Sequence, residues 1–195
     1  MSVSTAPPSA LPATRRRRRP ALRLLLTLVL VAVLAAGAAY AAVTQLRRDA
    51  PVLVTGKPSV VAAEDLPAVA DAAGHDVYGI PQPAGTRLEV TVGNAGETWV
   101  RYLTGGAAAG DERADFLTVG TYPKPDAHAA ALAAAEGAQS RSADLPGGGV
   151  MLWSLDRPTS VYLARPGSGL LVEVYSPDAE QAKGLVRAGA VAPLR

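Results

Sequence analysis

Two histidines, no cysteine and a scatter of carboxylates are what this chain offers to chemistry. Asp71 and His75 stand four apart with Asp76 beside them, a spacing that could open a His–carboxylate pair or a metal site. Gly74 is placed to end the helix that would align them, and no further His or Cys ligand is close in sequence. A histidine at a helix end is the simpler reading. Asp126 and His128 fall at a helix start, where Asp is a natural cap. No metal and no cofactor is expected.

The serines carry no nucleophile signature. Gly167-Ser168-Gly169 lacks the outer glycine spacing of a G-x-S-x-G elbow, and S-x-x-K does not occur. Pro146-Gly147-Gly148-Gly149 could shape an anion nest, but a hairpin turn explains it equally simply. Neither G-x-G-x-x-G nor a P-loop is present. No catalytic residue is named on these grounds.

Glu89 and Glu173 are the carboxylates of most interest. They sit in two phrases, DVYGIPQPAGTRLEVTV at 76–92 and SVYLARPGSGLLVEVYS at 160–176, which align without a gap at an offset of 84. If two halves were related by a pseudo-twofold, the glutamates would occupy equivalent places, and paired carboxylates can do acid–base work. Otherwise each is an outward strand residue, solvated or paired with Arg87 or the cross-strand Arg101. Internal duplication and a shared hairpin vocabulary both account for the likeness. Trp99, Trp153 and the tyrosines, with a single Phe, suit either half-exposed contact surface for glycan or protein or a small core facing helices. The candidate binding residues are therefore Glu89, Glu173, Trp99 and Trp153.

The elements that must position these residues are mostly strands. VYGI (77–80), RLEVTV (87–92), TWVRYL (98–103), FLTVGTY (116–122), VMLWSL (150–155), SVYLA (160–164) and LLVEVY (170–175) are short, β-branched or alternating, and separated by Pro/Gly/Asn turns. Leu88, Val90 and Val92 share one side of their strand, as do Leu170, Val172 and Val174. Helical spacing appears in 59–74, interrupted by Pro67, so the helix begins near Asp65 or breaks into two pieces. Further helices are expected at 127–138 and, capped by Ser176-Pro177-Asp178, from Ala179 onward. The expected class is α+β: an antiparallel sheet with helices on one face, with two similar halves as one option.

Ahead of this domain lies a different kind of sequence. Residues 24–43, LLLTLVLVAVLAAGAAYAAV, are 20 uncharged residues, apolar on every helical face. A helix of that length reaches about 30 Å, the thickness of a bilayer's hydrocarbon core. Arg15 to Arg19 and Arg23 precede it and only Arg47 and Arg48 follow, which places the N-terminus in the cytoplasm and the rest outside. Ala39-Tyr40-Ala41 offers a loose cleavage pattern, but the apolar run exceeds the roughly 7–15 residues of a signal peptide, so a retained anchor is expected. The five consecutive arginines serve orientation and the anionic inner leaflet. Residues 1–23 read as a disordered Arg-rich tail, 44–58 as a linker, and 59–195 as one extracytoplasmic domain.

Charge divides the same way. Residues 1–50 carry eight arginines and one aspartate, a net +7. The remainder holds 11 basic and 16 acidic groups, a net −5, which argues against nucleic acid as a partner. The absence of cysteine excludes disulfides, thiolate zinc sites and thiol catalysis.

At WVRYL, FLTVGTYP, LPGGGVMLW and VEVYSPDAEQA the chain resembles a group of uncharacterised, membrane-anchored actinobacterial proteins. The resemblance spans most of residues 74–195 and the anchor. It implies source and topology, and carries over no activity and no functional residue. The reading is a single-pass membrane protein of the cell envelope whose outer domain binds an envelope protein or glycan without catalysis, with the bilayer held through residues 24–43. A hydrolase using the strand carboxylates is one alternative. An accessory subunit docking through the small-residue face of Ala36, Gly37 and Ala41 is another.

Overall fold

The computed structural model describes residues 53–194. The expected tail, membrane helix and first part of the linker lie outside the described residues. Among the described residues no helix is long and apolar enough to cross a membrane.

Among the described residues ten strands and three α-helices follow one another. Strand β1 is Ser59–Val61, followed by a 3-10 turn at Ala63–Asp65 and helix α1 at Leu66–Ala73. Pro67 sits in the first turn of α1, where its missing N–H costs nothing, and Gly74 ends the helix at φ 74°. Strands β2 (Tyr78–Gly79), β3 (Arg87–Val92), β4 (Thr98–Leu103) and β5 (Thr118–Pro123) lead to helix α2 (Ala127–Ala135). Strands β6 (Ser140–Leu145), β7 (Gly149–Ser154), β8 (Ser160–Ala164) and β9 (Leu170–Tyr175) lead to helix α3 (Ala179–Arg187) and β10 (Ala192–Pro193).

Eight strands form one antiparallel sheet in the order β1-β3-β4-β5-β9-β8-β7-β6, while β10 pairs with β2 in a small separate ladder. The register sets the two faces. Val90, Val100, Val119, Val174, Val161 and Trp153 form one continuous row. One residue along, Thr91, Trp99, Gly120, Glu173, Tyr162 and Leu152 form a row on the opposite face. The valine row belongs to the main core, where Leu66 and Val69 of α1 and Ala182 and Val186 of α3 pack on it. Buried Tyr102 pins β2 over this core: its hydroxyl donates to the Ile80 carbonyl at 3.0 Å and accepts from the Ile80 N–H at 2.7 Å.

The expected α+β class and antiparallel sheet are present, but the helices do not share a face. Ala127 and Ala131 of α2 pack on Val150, Leu152 and Ala164, which alternate with the Met151, Val161 and Leu163 beneath α3. Helix α2 therefore lies on the face opposite α1 and α3. The offset of 84 is not a symmetry of the sheet either. It pairs β3, second from one edge, with β9, at the centre. The strand order does read alike from both edges, with β5 and β9 as the central pair, each followed by a helix. Those two helices turn to opposite faces, so the likeness stops at the strands.

Candidate functional site

The face that carries α2 is covered at two places. Over β3 and β4 it is roofed by the loop 104–117, and over β7 and β8 by α2. The roof over Glu89 explains why that residue is fully buried and not solvated; of the readings the sequence offered, the pairing with cross-strand Arg101 is the one present. Its Oε1 accepts from Arg101 at 2.7 Å and its Oε2 from the Gly110 N–H at 2.5 Å. Arg101 also donates to the carbonyls of Asp111 and Arg113 at 2.7 and 3.0 Å. Phe116 lies with the guanidinium groups of Arg101 and Arg113 each 4.9 Å from its ring centre. At the surface, hydrogen bonds from Arg113 hold the Asp111 carboxyl below its ordinary range. Glu89 is thus the buried anchor of a loop, with every acceptor oxygen committed.

Glu173 is in a different setting. It lies between the two roofs, on the central strand β9, half-buried. Tyr122 donates to its Oε2 at 2.8 Å and Tyr162 to its Oε1 at 3.1 Å. Trp99 in turn donates from Nε1 to the Tyr122 hydroxyl at 3.1 Å. The Trp99 and Tyr122 rings meet edge to face, with centroids 6.0 Å apart at 80°. The result is a strip of indole, phenol, carboxylate and phenol running across β4, β5, β9 and β8. Burial pushes the Tyr122 phenol well above its ordinary range, and its hydrogen bond to Glu173 pushes the same way. Tyr162 is raised first by burial and then by the Glu173 charge. Both phenols stay protonated donors at any physiological pH.

Gly120 makes the strip possible. A Cβ there would stand 2.8 Å from the Tyr122 hydroxyl and 3.0 Å from two of its ring carbons. The Tyr122 side chain therefore folds flat across Gly120, two residues back on the same face, and so reaches both Trp99 and Glu173.

The four residues singled out by sequence do not converge. Glu89 and Glu173 share a face but stand three strands apart and two residues out of register, at least about 14 Å at ordinary strand spacing. Glycosidase pairs need roughly 5–9.5 Å. Trp99 joins Glu173 through Tyr122. Trp153 is in the valine row on the opposite face, where Lys183 and Arg187 of α3 lie 5.2 and 5.7 Å from its ring centre. Tyr122, Tyr162 and Gly120, which complete the strip, were not singled out by sequence.

The other motifs have local uses. The His75 ring nitrogens lie 2.8 and 2.6 Å from the carbonyl oxygens of Asp76 and Gly96, tying the end of α1 to the β3–β4 turn. Asp126 makes no side-chain cap on α2, contrary to expectation; its carboxylate pairs with Lys124 at 3.3 Å. Asp178 does cap α3, accepting from the Glu180 and Gln181 N–H groups. Ser168 folds into its own turn by donating to the Arg165 carbonyl at 3.0 Å. His128 meets the Gly148 carbonyl at 3.0 Å, a use of the glycine turn that has nothing to do with an anion. Among the described residues no group of three or more His, Asp or Glu could hold a metal ion.

Comparison with protein-family models, with curated proteins and with solved structures found no match.

Proposed function

We propose that residues 59–195 form a non-catalytic binding module of the cell envelope, held outside the membrane by the apolar run 24–43, and that the Trp99–Tyr122–Glu173–Tyr162 strip is its contact surface. The observation that carries this reading is the chain of hydrogen bonds along the strip. Each polar group is held by its neighbour, so large amphipathic rings are fixed in place before any partner arrives. Fixed Trp and Tyr side chains give contact area at low entropic cost. The carboxylate between them keeps unused lone pairs for a ligand hydroxyl or N–H. That combination suits a glycan or a polar protein surface. The sequence resemblance to membrane-anchored proteins and the six arginines before the apolar run, against two after it, support the topology.

A hydrolase that pairs the two strand carboxylates is less well supported, because they stand at least about 14 Å apart and serve different neighbours. An accessory-subunit role rests on the anchor and is tested by exchanging residues 24–43 for an unrelated span. Full function after that exchange would remove it.

The contact surface is tested in cells with a photoactivatable aromatic side chain at position 99 of the full chain, and a control at exposed Glu180 on the helix of the opposite face. A discrete adduct from position 99 and none from 180 is expected. Glu173→Gln keeps the shape of the strip and is expected to retain the adduct. Equal labelling from both positions would contradict the assignment.

A further inference from the structure

Beside the strip lies a half-open cavity of about 310 Å³ along the line where α2 meets the sheet. Its helix side is Ala127, Ala130, Ala131 and Ala134, which recur at 0, 3, 4 and 7 and so form one helical stripe; Ala127 and Ala131 pack on the sheet, and Ala130 and Ala134 are more open. Its floor is Leu152, Leu171 and the ring of Tyr162. The space exists because α2 turns only methyl groups toward the sheet. The long aliphatic side chain of α2, Leu132, points the other way and is 46% exposed.

The cavity's size and ends define an occupant. At about 310 Å³ it is near the lower bound of ligand pockets, about 300 Å³. With a methylene filling the ~30 Å³ of a liquid water, it takes one chain of roughly ten carbons. Lys124 stands at the rim, its stem against the apolar wall and its ammonium 3.3 Å from Asp126. That surface ion pair is weak and readily exchanged. A carboxylate or phosphate can replace Asp126 at Lys124 while its chain lies in the groove alongside α2.

We propose that this cavity binds a single linear aliphatic chain bearing an anionic end, with the chain along α2 beside Ala130 and Ala134 and the anion at Lys124. The source of such a chain follows from the anchor reading, on which this inference rests. Nine residues, 44–52, separate the apolar run from the first described residue, so the domain starts within about 30 Å of the bilayer. Tyr162 belongs to both the cavity floor and the strip, so an occupant would touch the same phenol that holds Glu173.

The test uses the full chain in its native membrane. Two photoactivatable probes carry a diazirine near the chain end: free dodecanoate, and a phospholipid bearing the same chain. A third, dodecanol, lacks the charge. Adducts are located by peptide mass spectrometry. Either anionic probe should label peptides containing Leu152, Leu171 or the α2 alanines, and whichever labels more strongly identifies the source. Ala134→Leu, at an exposed position of the lining, should lower that labelling at least tenfold while the fold is retained. Lys124→Gln should lower dodecanoate labelling severalfold and leave dodecanol labelling unchanged. Labelling of residues 24–43 reports the anchor separately. Labelled 24–43 with an unlabelled cavity would overturn this inference and leave the anchor standing. Cavity labelling unaffected by Ala134→Leu would overturn it as well.

Discussion

Tyr122 shows how much a single side chain decides. Its hydroxyl accepts from Trp99 and donates to Glu173, and its ring rests over Gly120. Tyr122→Phe removes both hydrogen bonds and is expected to cost about 1–2 kcal/mol in urea unfolding. Gly120→Ala should cost about 1–3 kcal/mol, because the new methyl group drives the ring off its seat. If that account holds, the cost of Gly120→Ala shrinks when Tyr122 is already Ala. Equal costs in both backgrounds would place the strain elsewhere. Alkaline titration is a second test at this scale. Burial pushes Tyr102 up to about 12, and Tyr122 and Tyr162 are raised as well. A phenol with a higher pKa folded than unfolded stabilises the fold fully below its unfolded value, about 10, and stops doing so as pH rises through the folded value. Stability should be level up to about pH 10 and then fall. Phenolate absorbance from these three tyrosines should appear only with that loss.

Among the elements, the loop 104–117 is the one most dependent on a buried charge. Arg101→Met leaves Glu89 buried without its cation and should destabilise by about 3–5 kcal/mol. The double variant Glu89→Gln with Arg101→Met should recover part of this, and chemical denaturation of the set measures the difference. Thr98 is the opposite case. Its hydroxyl is buried with no hydrogen-bond partner among the described residues, so Thr98→Val should raise stability by about 1 kcal/mol. Most strands were legible in the sequence because apolar alternation and Pro/Gly turns mark them locally. Strand β6, SRSADL, was not: it is a polar edge strand with only Leu145 buried, and the hairpin to β7 imposes its pairing. The face chosen by α2 was hidden as well, since an all-alanine stripe carries no strong apolar signal, although its spacing at 127, 130, 131 and 134 was there to be read. In the candidate site, Glu173 and Trp99 stood out by residue type. What joins them is Tyr122, whose role depends on a β5–β9 pairing 51 residues distant in the chain.

For the molecule as a whole, the division at the apolar run gives the protein its logic. A basic flank, a 20-residue uncharged run and a net-acidic domain follow in that order. The domain presents one face whose rows end in helices and another whose centre is a strip of rings and a carboxylate. The repeated phrase at 76–92 and 160–176 proved to be common strand chemistry used at different places in the sheet, not a symmetry of the site. The account stands on the strip facing the outside of the cell. Because the chain has no cysteine, single introduced thiols report topology without background. The decisive measurement is labelling of Ala138→Cys, an exposed position after α2, and Ser2→Cys with a membrane-impermeant maleimide in intact cells. The account predicts labelling at position 138 in intact cells and at position 2 only after permeabilisation. Labelling at 2 with protection at 138 would contradict it, because the strip would then face the cytoplasm.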